Sequence, residues 1–278
     1  MTFIITLISL LIERFFHWSH LRHWRWFNVY QRWLSHSRIS RLPSSVLFIL
    51  ALLPFILLVA LINHFLHGAF YGVLKILFGI AVLVYCLGPT NIWMQVYRCI
   101  NQFHKEEDPK LAIECVQKEF GIGPIDTSQQ FHLAFTRAIF MAAYQGVFAV
   151  VFWFVLLGPA GAVLYRSIAL MGTESPLGLT HTAKKIQQWL DWIPVRILTF
   201  IFALGGHFNQ VFMHWKKLVL KGPEMNEALL TECGIAALDV MEGSLIPEDG
   251  SAEKEALTLL DRVFVIGLVI LAVIVLVL

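Results

Sequence analysis

Apolar residues along this chain gather into long blocks separated by shorter polar stretches. Residues 2–13 form the first block, which closes on Glu13 and Arg14. The second, 44–64, would reach about 30 Å as a helix, enough to cross the hydrocarbon core of a bilayer. Pro54 near its middle predicts a kink whose freed backbone group a neighbour must satisfy. A turn around His67 and Gly68 leads into a third block, 70–87, which stops at Gly88-Pro89, so these two blocks predict a helical hairpin. A fourth runs over 138–170 and is interrupted by Gly158-Pro159-Ala160-Gly161, which predicts a broken or re-entrant helix. Such a break is tolerated at membrane depth only where protein or a wet cavity surrounds it. The last block, 257–278, is almost pure Val, Ile, Leu and Ala.

The stretches between the blocks read as helical inserts over 14–43, 94–136 and 216–256. Glu106, Glu107 and Asp108-Pro109 open an amphipathic helix in which Leu111, Cys115 and Val116 share a face, and Gly121 to Thr127 is a turn. Residues 184–192 predict an interfacial helix anchored by Trp189 and Trp192. Pro194 then reads as the start of a moderately apolar segment, 194–213, which is polar enough that a span and a re-entrant helix both stay open. An acidic helix follows from Glu224 to Glu242, with a turn at Pro247 to Gly250. The expected fold class is all-α: a polytopic helical integral membrane protein, one membrane domain over 1–278, with cytosolic helical inserts and a broken or re-entrant helix. No internal repeat is visible.

Composition sharpens this. The chain is 58% apolar and 14% charged, against about 25% charged in an average soluble domain, and its mean hydropathy is +0.70. The net charge of +2 conceals an asymmetry: Arg14, Arg22, Arg25, Arg32, Arg38 and Arg41 occur with no acid among them, whereas 224–255 is rich in Glu and Asp. Arginines interleaved with Trp and flanked by apolar spans suit anionic lipid headgroups better than nucleic acid, so the lipid bilayer is the expected partner and nucleic acid is not. The hairpin is flanked by that arginine segment and by Arg98, Lys105 and Lys110. The positive-inside rule therefore places both flanks in the cytosol and residues 65–69 outside, in a multi-pass protein. Residues 1–12 lack a basic leader region and a small-residue cleavage site, and read as a retained helix. Cys86, Cys99, Cys115 and Cys233 form no CxxC pair and suggest free thiols in a reducing compartment.

Ionisable residues inside membrane segments cost about 2.5–3.5 kcal/mol on insertion scales, so each requires a reason. Glu13 is either part of an interfacial pair with Arg14 or a carboxylate facing a central site. Lys75 reads as a snorkelling side chain. Arg166 lies behind the glycine break and beside Tyr165, where it either ends a helix or binds an anionic group. Asp191 and Arg196 flank Pro194, as a helix cap with a local partner or as ligand groups. His207 after Gly205-Gly206 is a structural histidine or a ligand contact. Glu13, Arg166, Asp191, Arg196 and His207 are thus the ligand-binding candidates, for a small amphiphilic or anionic ligand. His17, His20 and His23 share a helical face, but no Cys or carboxylate joins them, and no metal is expected there. Walker, GxSxG, HExxH and GxGxxG signatures do not occur, so no cofactor and no catalytic residue is assigned.

Three phrases carry a family resemblance: Ile12-Glu13-Arg14-Phe15-Phe16 after the apolar start, Leu190-Asp191-Trp192-Ile193-Pro194-Val195-Arg196, and Ala203-Leu204-Gly205-Gly206-His207. With them the chain resembles the AmpE family of inner-membrane proteins associated with β-lactamase induction in Gram-negative bacteria. The resemblance covers most of the chain and implies a regulatory role linking cell-wall stress or muropeptide recycling to induction, with membrane or cytosolic protein partners. That family is regarded as a distant relative of the CbiB/CobD cobinamide-phosphate synthases, which join an amino alcohol to a corrinoid acid using ATP. The run from Phe152-Trp153 to Tyr165-Arg166 is similar to a segment of those enzymes. Gln187 and Gln188 stand where the synthases carry an acidic pair, and Asp191 stands where they carry Asn. Their Glu-Asn helix motif corresponds at best to Ala142-Ala143-Tyr144-Gln145. ATP chemistry needs carboxylates to hold magnesium, so the resemblance implies a retained fold without the synthase reaction, the alternative being a synthase-like ligase or transferase acting on an amphiphilic substrate.

Overall fold

A computed structural model describes residues 2–15, 24–37, 42–66, 72–88, 91–105, 109–123, 125, 127–238 and 250–277. Among the described residues every regular element is helical: α1 (Thr2–Phe15), α2 (Arg25–His36), α3 (Ser44–Phe65), α4 (Val73–Cys86), α5 (Ile92–Lys105), α6 (Pro109–Phe120), α7 (Ser128–Ala143), a π-helical turn (Tyr144–Phe148), α8 (Ala149–Leu157), α9 (Pro159–Thr173), α10 (Thr180–Gly205), α11 (Phe208–Leu218), α12 (Asn226–Ala237) and α13 (Ser251–Val277). Among the described residues three runs are long and apolar enough to cross a membrane: α3, the continuous Ser128–Leu157 run, and α13. The chain divides into two compact units, one of 1–89 and 145–191, the other of 90–144 and 192–278, with their boundaries inside the π turn region and inside α10.

In the first unit α1 packs on α4, α3 and α4 pack on α9, and α8 folds back on α9. Pro54 interrupts the ladder of α3 as expected. The carbonyl that its missing N–H would have served belongs to Leu50, and the Tyr30 hydroxyl of α2 donates to that oxygen at 3.0 Å. Burial raises the Tyr30 pKa and keeps it a donor. Around this contact Trp24, Trp26, Phe27 and Tyr30 pack edge-on or tilted against Phe55 and Tyr85, with centroids 4.8–5.8 Å apart. The glycine break ends α8 where expected: Gly158 has φ +69°, which residues with a Cβ avoid, and its N–H closes the last turn onto Phe154 at 2.8 Å. Pro159 then opens α9 at its first position. The π turn lets a second segment approach, because the Gly146 carbonyl accepts the Gly88 N–H at 2.8 Å and a Cβ on Gly88 would lie 3.2 Å from the Gly146 Cα.

The second unit packs α7 against α12 and α13, α11 against α12, and α5 against α6. Phe140 meets Phe202 with centroids 5.4 Å apart, and Trp93 meets Phe264 at 5.6 Å. Cys99 and Cys115 join α5 to α6 with sulfurs 3.1 Å apart.

Two elements differ from the reading of the sequence, while the break at Gly158 agrees with it. Pro194 does not begin a helix: α10 runs unbroken from Thr180 to Gly205 with the proline inside it. The missing proline N–H leaves the Leu190 carbonyl without its ladder donor, a loss the long helix tolerates, and Arg196 Nη1 separately donates to the Trp192 carbonyl at 2.6 Å. The fourth apolar block starts earlier than expected, at Ser128, because its first polar residues, His132 and Thr136, are buried against other helices and need not face water. Its far end is a separate helix, α9. The His17, His20, His23 cluster, the His67-Gly68 turn, Glu106 to Asp108, Glu242 and Pro247 lie outside the described residues.

Candidate functional site

Several polar residues of the first unit are buried in its interior. On α1, Thr6, Ser9 and Glu13 recur at three- and four-residue intervals, so they form one helical stripe, and all three are buried. On α9, Tyr165, Arg166 and Ser167 begin the second turn after the glycine break and are buried as well. Asp191 reaches α9 from α10: the Tyr165 hydroxyl donates to Asp191 Oδ1 at 2.9 Å. Gln187, one turn before Asp191, also hydrogen-bonds the Tyr165 hydroxyl, and the Arg166 charge acts on the same group and on Cys86 of α4. A Cβ on Gly172 would lie 3.0 Å from Gln187 Oε1, so the bare glycine gives the amide room beside α9. Nearby in sequence, the Ser175 hydroxyl donates to Gln31 Oε1 of α2 at 2.8 Å.

The structure therefore brings Asp191 into one hydrogen-bonded group with Tyr165 and Gln187, with the Arg166 charge acting on it, and buries Glu13 in the same unit. A carboxylate, a guanidinium, a phenol and a primary amide inside a membrane protein can orient a ligand that carries both an anionic group and hydrogen-bonding groups. Among the described residues no three of His, Cys, Asp and Glu are grouped to hold a metal ion.

Arg196 and His207 lie in the second unit and have visible structural work. Arg196 is 8% exposed. It donates through Nε to the Val219 carbonyl at 2.6 Å, through Nη1 to Trp192 O and to Asn226 Oδ1 at 2.6 and 2.9 Å, and through Nη2 to Lys221 O at 2.7 Å. Its guanidinium also lies 4.1 Å from the Trp192 ring centroid. Of the carbonyls it ties, those of Val219 and Lys221 lie just past the end of α11 and that of Trp192 belongs to α10. His207 is exposed and precedes α11 as its N-cap residue, with its backbone N–H on the Ala237 carbonyl at 3.3 Å.

One buried pair escaped the sequence. His132 Nδ1 and Glu253 Oε1 are 2.8 Å apart, at 3% and 0% side-chain exposure, and tie α7 to α13. Each is a polar residue near the start of an apolar helix, which is a signal in itself, but a separation of 121 residues hides their pairing.

Helices long and apolar enough to span a bilayer, together with buried ionisable groups, define a helical integral membrane protein. The chain belongs to the AmpE family: the family described as "Regulatory signalling modulator protein AmpE" matches residues 1–277. It is also similar to two proteins named "Cobalamin biosynthesis protein CobD". That of Chromobacterium violaceum is 27% identical over 180 residues, 61% of this chain and 56% of that protein. That of Stutzerimonas stutzeri is 27% identical over 116 residues, 40% of this chain and 38% of that protein. The chain thus spans about half the length, or less, of these curated relatives. No solved structure matches it.

Proposed function

We propose that this chain is a multi-pass protein of the bacterial inner membrane that regulates β-lactamase induction in response to cell-wall stress or muropeptide recycling, binding a small amphiphilic or anionic ligand without catalysis of its own. The family match over 1–277 carries the regulatory reading. The site supports a binding role: Gln187, a neutral amide, shares Tyr165 with Asp191 at the place where the synthase-like phrase would carry acid. An amide can orient a ligand but supplies no charge for magnesium. Glu13, Arg166 and Asp191 are the proposed ligand-facing groups, and Arg196 and His207 support α11. Membrane or cytosolic proteins receive the signal. The arginine-rich and lysine-bearing flanks of α3 and α4 support a cytosolic side for the inserts.

A second reading, a ligase or transferase acting on an amphiphilic substrate, is favoured by the similarity to the two CobD proteins. A thermal-shift experiment separates the two, since a ligand that binds only the folded state raises its melting temperature. The detergent-solubilised chain is heated with Mg-ATP, with corrinoid precursors and with muropeptides. A muropeptide shift that Asp191→Asn and Arg166→Gln abolish, together with lost β-lactamase induction by the same variants in cells, is the expected result. A shift with Mg-ATP or a corrinoid instead overturns the regulatory reading in favour of the enzyme.

A further inference from the structure

A second feature of the first unit lies away from the Tyr165–Asp191 group. Between the start of α2 and the helices α3, α4 and α9 is a cavity of about 420 Å³, walled by residues that include Trp24, Trp26, Phe55, Phe78, Ala81 and Tyr85. That volume is within the usual range for small-molecule sites, about 300–1,000 Å³. The polar atoms on its wall are committed to each other: Trp26 Nε1 donates to the Tyr85 hydroxyl at 2.6 Å, and Trp24 Nε1 donates to the Tyr85 carbonyl at 3.4 Å. What remains facing the space is hydrocarbon and aromatic faces, which a polar solute would enter only by giving up its hydration. From Phe78 to Tyr85 the cavity follows α4 for about two turns, roughly 10 Å, a shape suited to a chain.

The edge of the cavity has the opposite character. α2, whose first turn adjoins Trp24 and Trp26, exposes Arg25 and Arg32 beside Trp26, Val29 and Trp33. Cations interleaved with exposed aromatic and aliphatic side chains on one short amphipathic helix are the pattern of a helix lying at headgroup level. The surrounding segment, 14–41, carries six arginines and no acid. The Tyr85 hydroxyl accepts from Trp26 and still has its own proton to donate at the rim.

We infer that this cavity seats one acyl chain of an anionic phospholipid, whose headgroup is held by Arg25 and Arg32. The apolar wall selects the chain and the basic edge selects the charge.

The test uses the full chain in mild detergent, titrated with dioleoyl phosphatidylglycerol or with dioleoyl phosphatidylcholine and read by native mass spectrometry. One phosphatidylglycerol molecule binds at a concentration about thirtyfold lower than phosphatidylcholine, the preference expected from two surface arginines. Ala81→Phe, which fills the cavity, removes this tight binding while circular dichroism stays that of the wild type. Arg25→Gln/Arg32→Gln makes the two lipids equivalent. Equal binding of both lipids by the wild-type chain overturns the inference, and so does undiminished phosphatidylglycerol binding by a folded Ala81→Phe chain. The wild-type comparison decides the matter even if the filled variant does not fold.

Discussion

Arg196 illustrates how one side chain can be read two ways from sequence and one way from its contacts. Four of the five N–H groups of its guanidinium are used, on three backbone carbonyls and on Asn226. A lysine cannot reproduce that planar fork. Arg196→Lys is therefore expected to cost about 2 kcal/mol, the scale of a buried charge-assisted hydrogen bond left unmade, seen as a lower melting temperature in detergent with ligand shifts unchanged. Wild-type melting with a lost ligand shift would return Arg196 to the ligand site. Cys233 tests burial at the same scale. Its thiol is pushed up to about 12 by burial, with the Glu232 charge adding to the effect. Only the thiolate is alkylated, and the thiolate fraction grows as pH rises towards the pKa. In the folded chain the iodoacetamide rate at Cys233 should keep rising about tenfold per pH unit from 8 to 11, whereas in denaturant it levels off near the ordinary thiol pKa. Levelling off near 9 in the folded chain would show that the thiol is not buried in this way.

At the scale of elements, Pro54 is the informative position. The sequence predicts that a neighbour must compensate the lost ladder bond of α3, and the structure names it: Tyr30, 20 residues away on α2. Tyr30→Phe should cost about 1–3 kcal/mol by stranding the Leu50 carbonyl. In a Pro54→Ala background the restored backbone N–H takes over that carbonyl, so Tyr30→Phe should cost close to nothing. A double-mutant cycle of melting curves reads the difference. Equal costs in both backgrounds would mean that Tyr30 stabilises α2 by packing alone. Pro194 reads from the sequence as a helix start, yet like Pro54 it lies inside a helix, since α10 continues through it. Local propensity cannot tell a proline that starts a helix from one inside it.

For the whole molecule, the open structural question is orientation across the bilayer, and charge bias supplies an expectation. In a chain with its native cysteines replaced, a membrane-impermeant maleimide applied from the periplasmic side should label Leu66→Cys. It should reach Lys118→Cys only after the membrane is opened. The reverse pattern would place the inserts outside and remove the cytosolic side from the proposed signalling path. The lipid-facing character of α3 and α13 agrees with a bilayer environment: Leu53, Leu57 and Leu61 on the one and Val265, Val269 and Val273 on the other are exposed.

Membrane class, the ladder bond lost at Pro54 of α3 and the glycine break after α8 were legible from the sequence, because each depends on local chemistry: runs of apolar side chains need lipid, proline lacks a donor, and a left-handed turn favours glycine. Glu13, Arg166 and Asp191 were recognisable as costly residues at membrane depth, and all three are buried in the first unit. Their arrangement was not recognisable. That Asp191 and Gln187 gather on Tyr165, that Arg196 binds carbonyls 23 and 25 residues away, and that His132 pairs with Glu253 across 121 residues are decided by how helices pack. Packing sets which distant polar groups meet, because a buried group must find a partner wherever the fold provides one, and one sequence read alone holds no record of that distance.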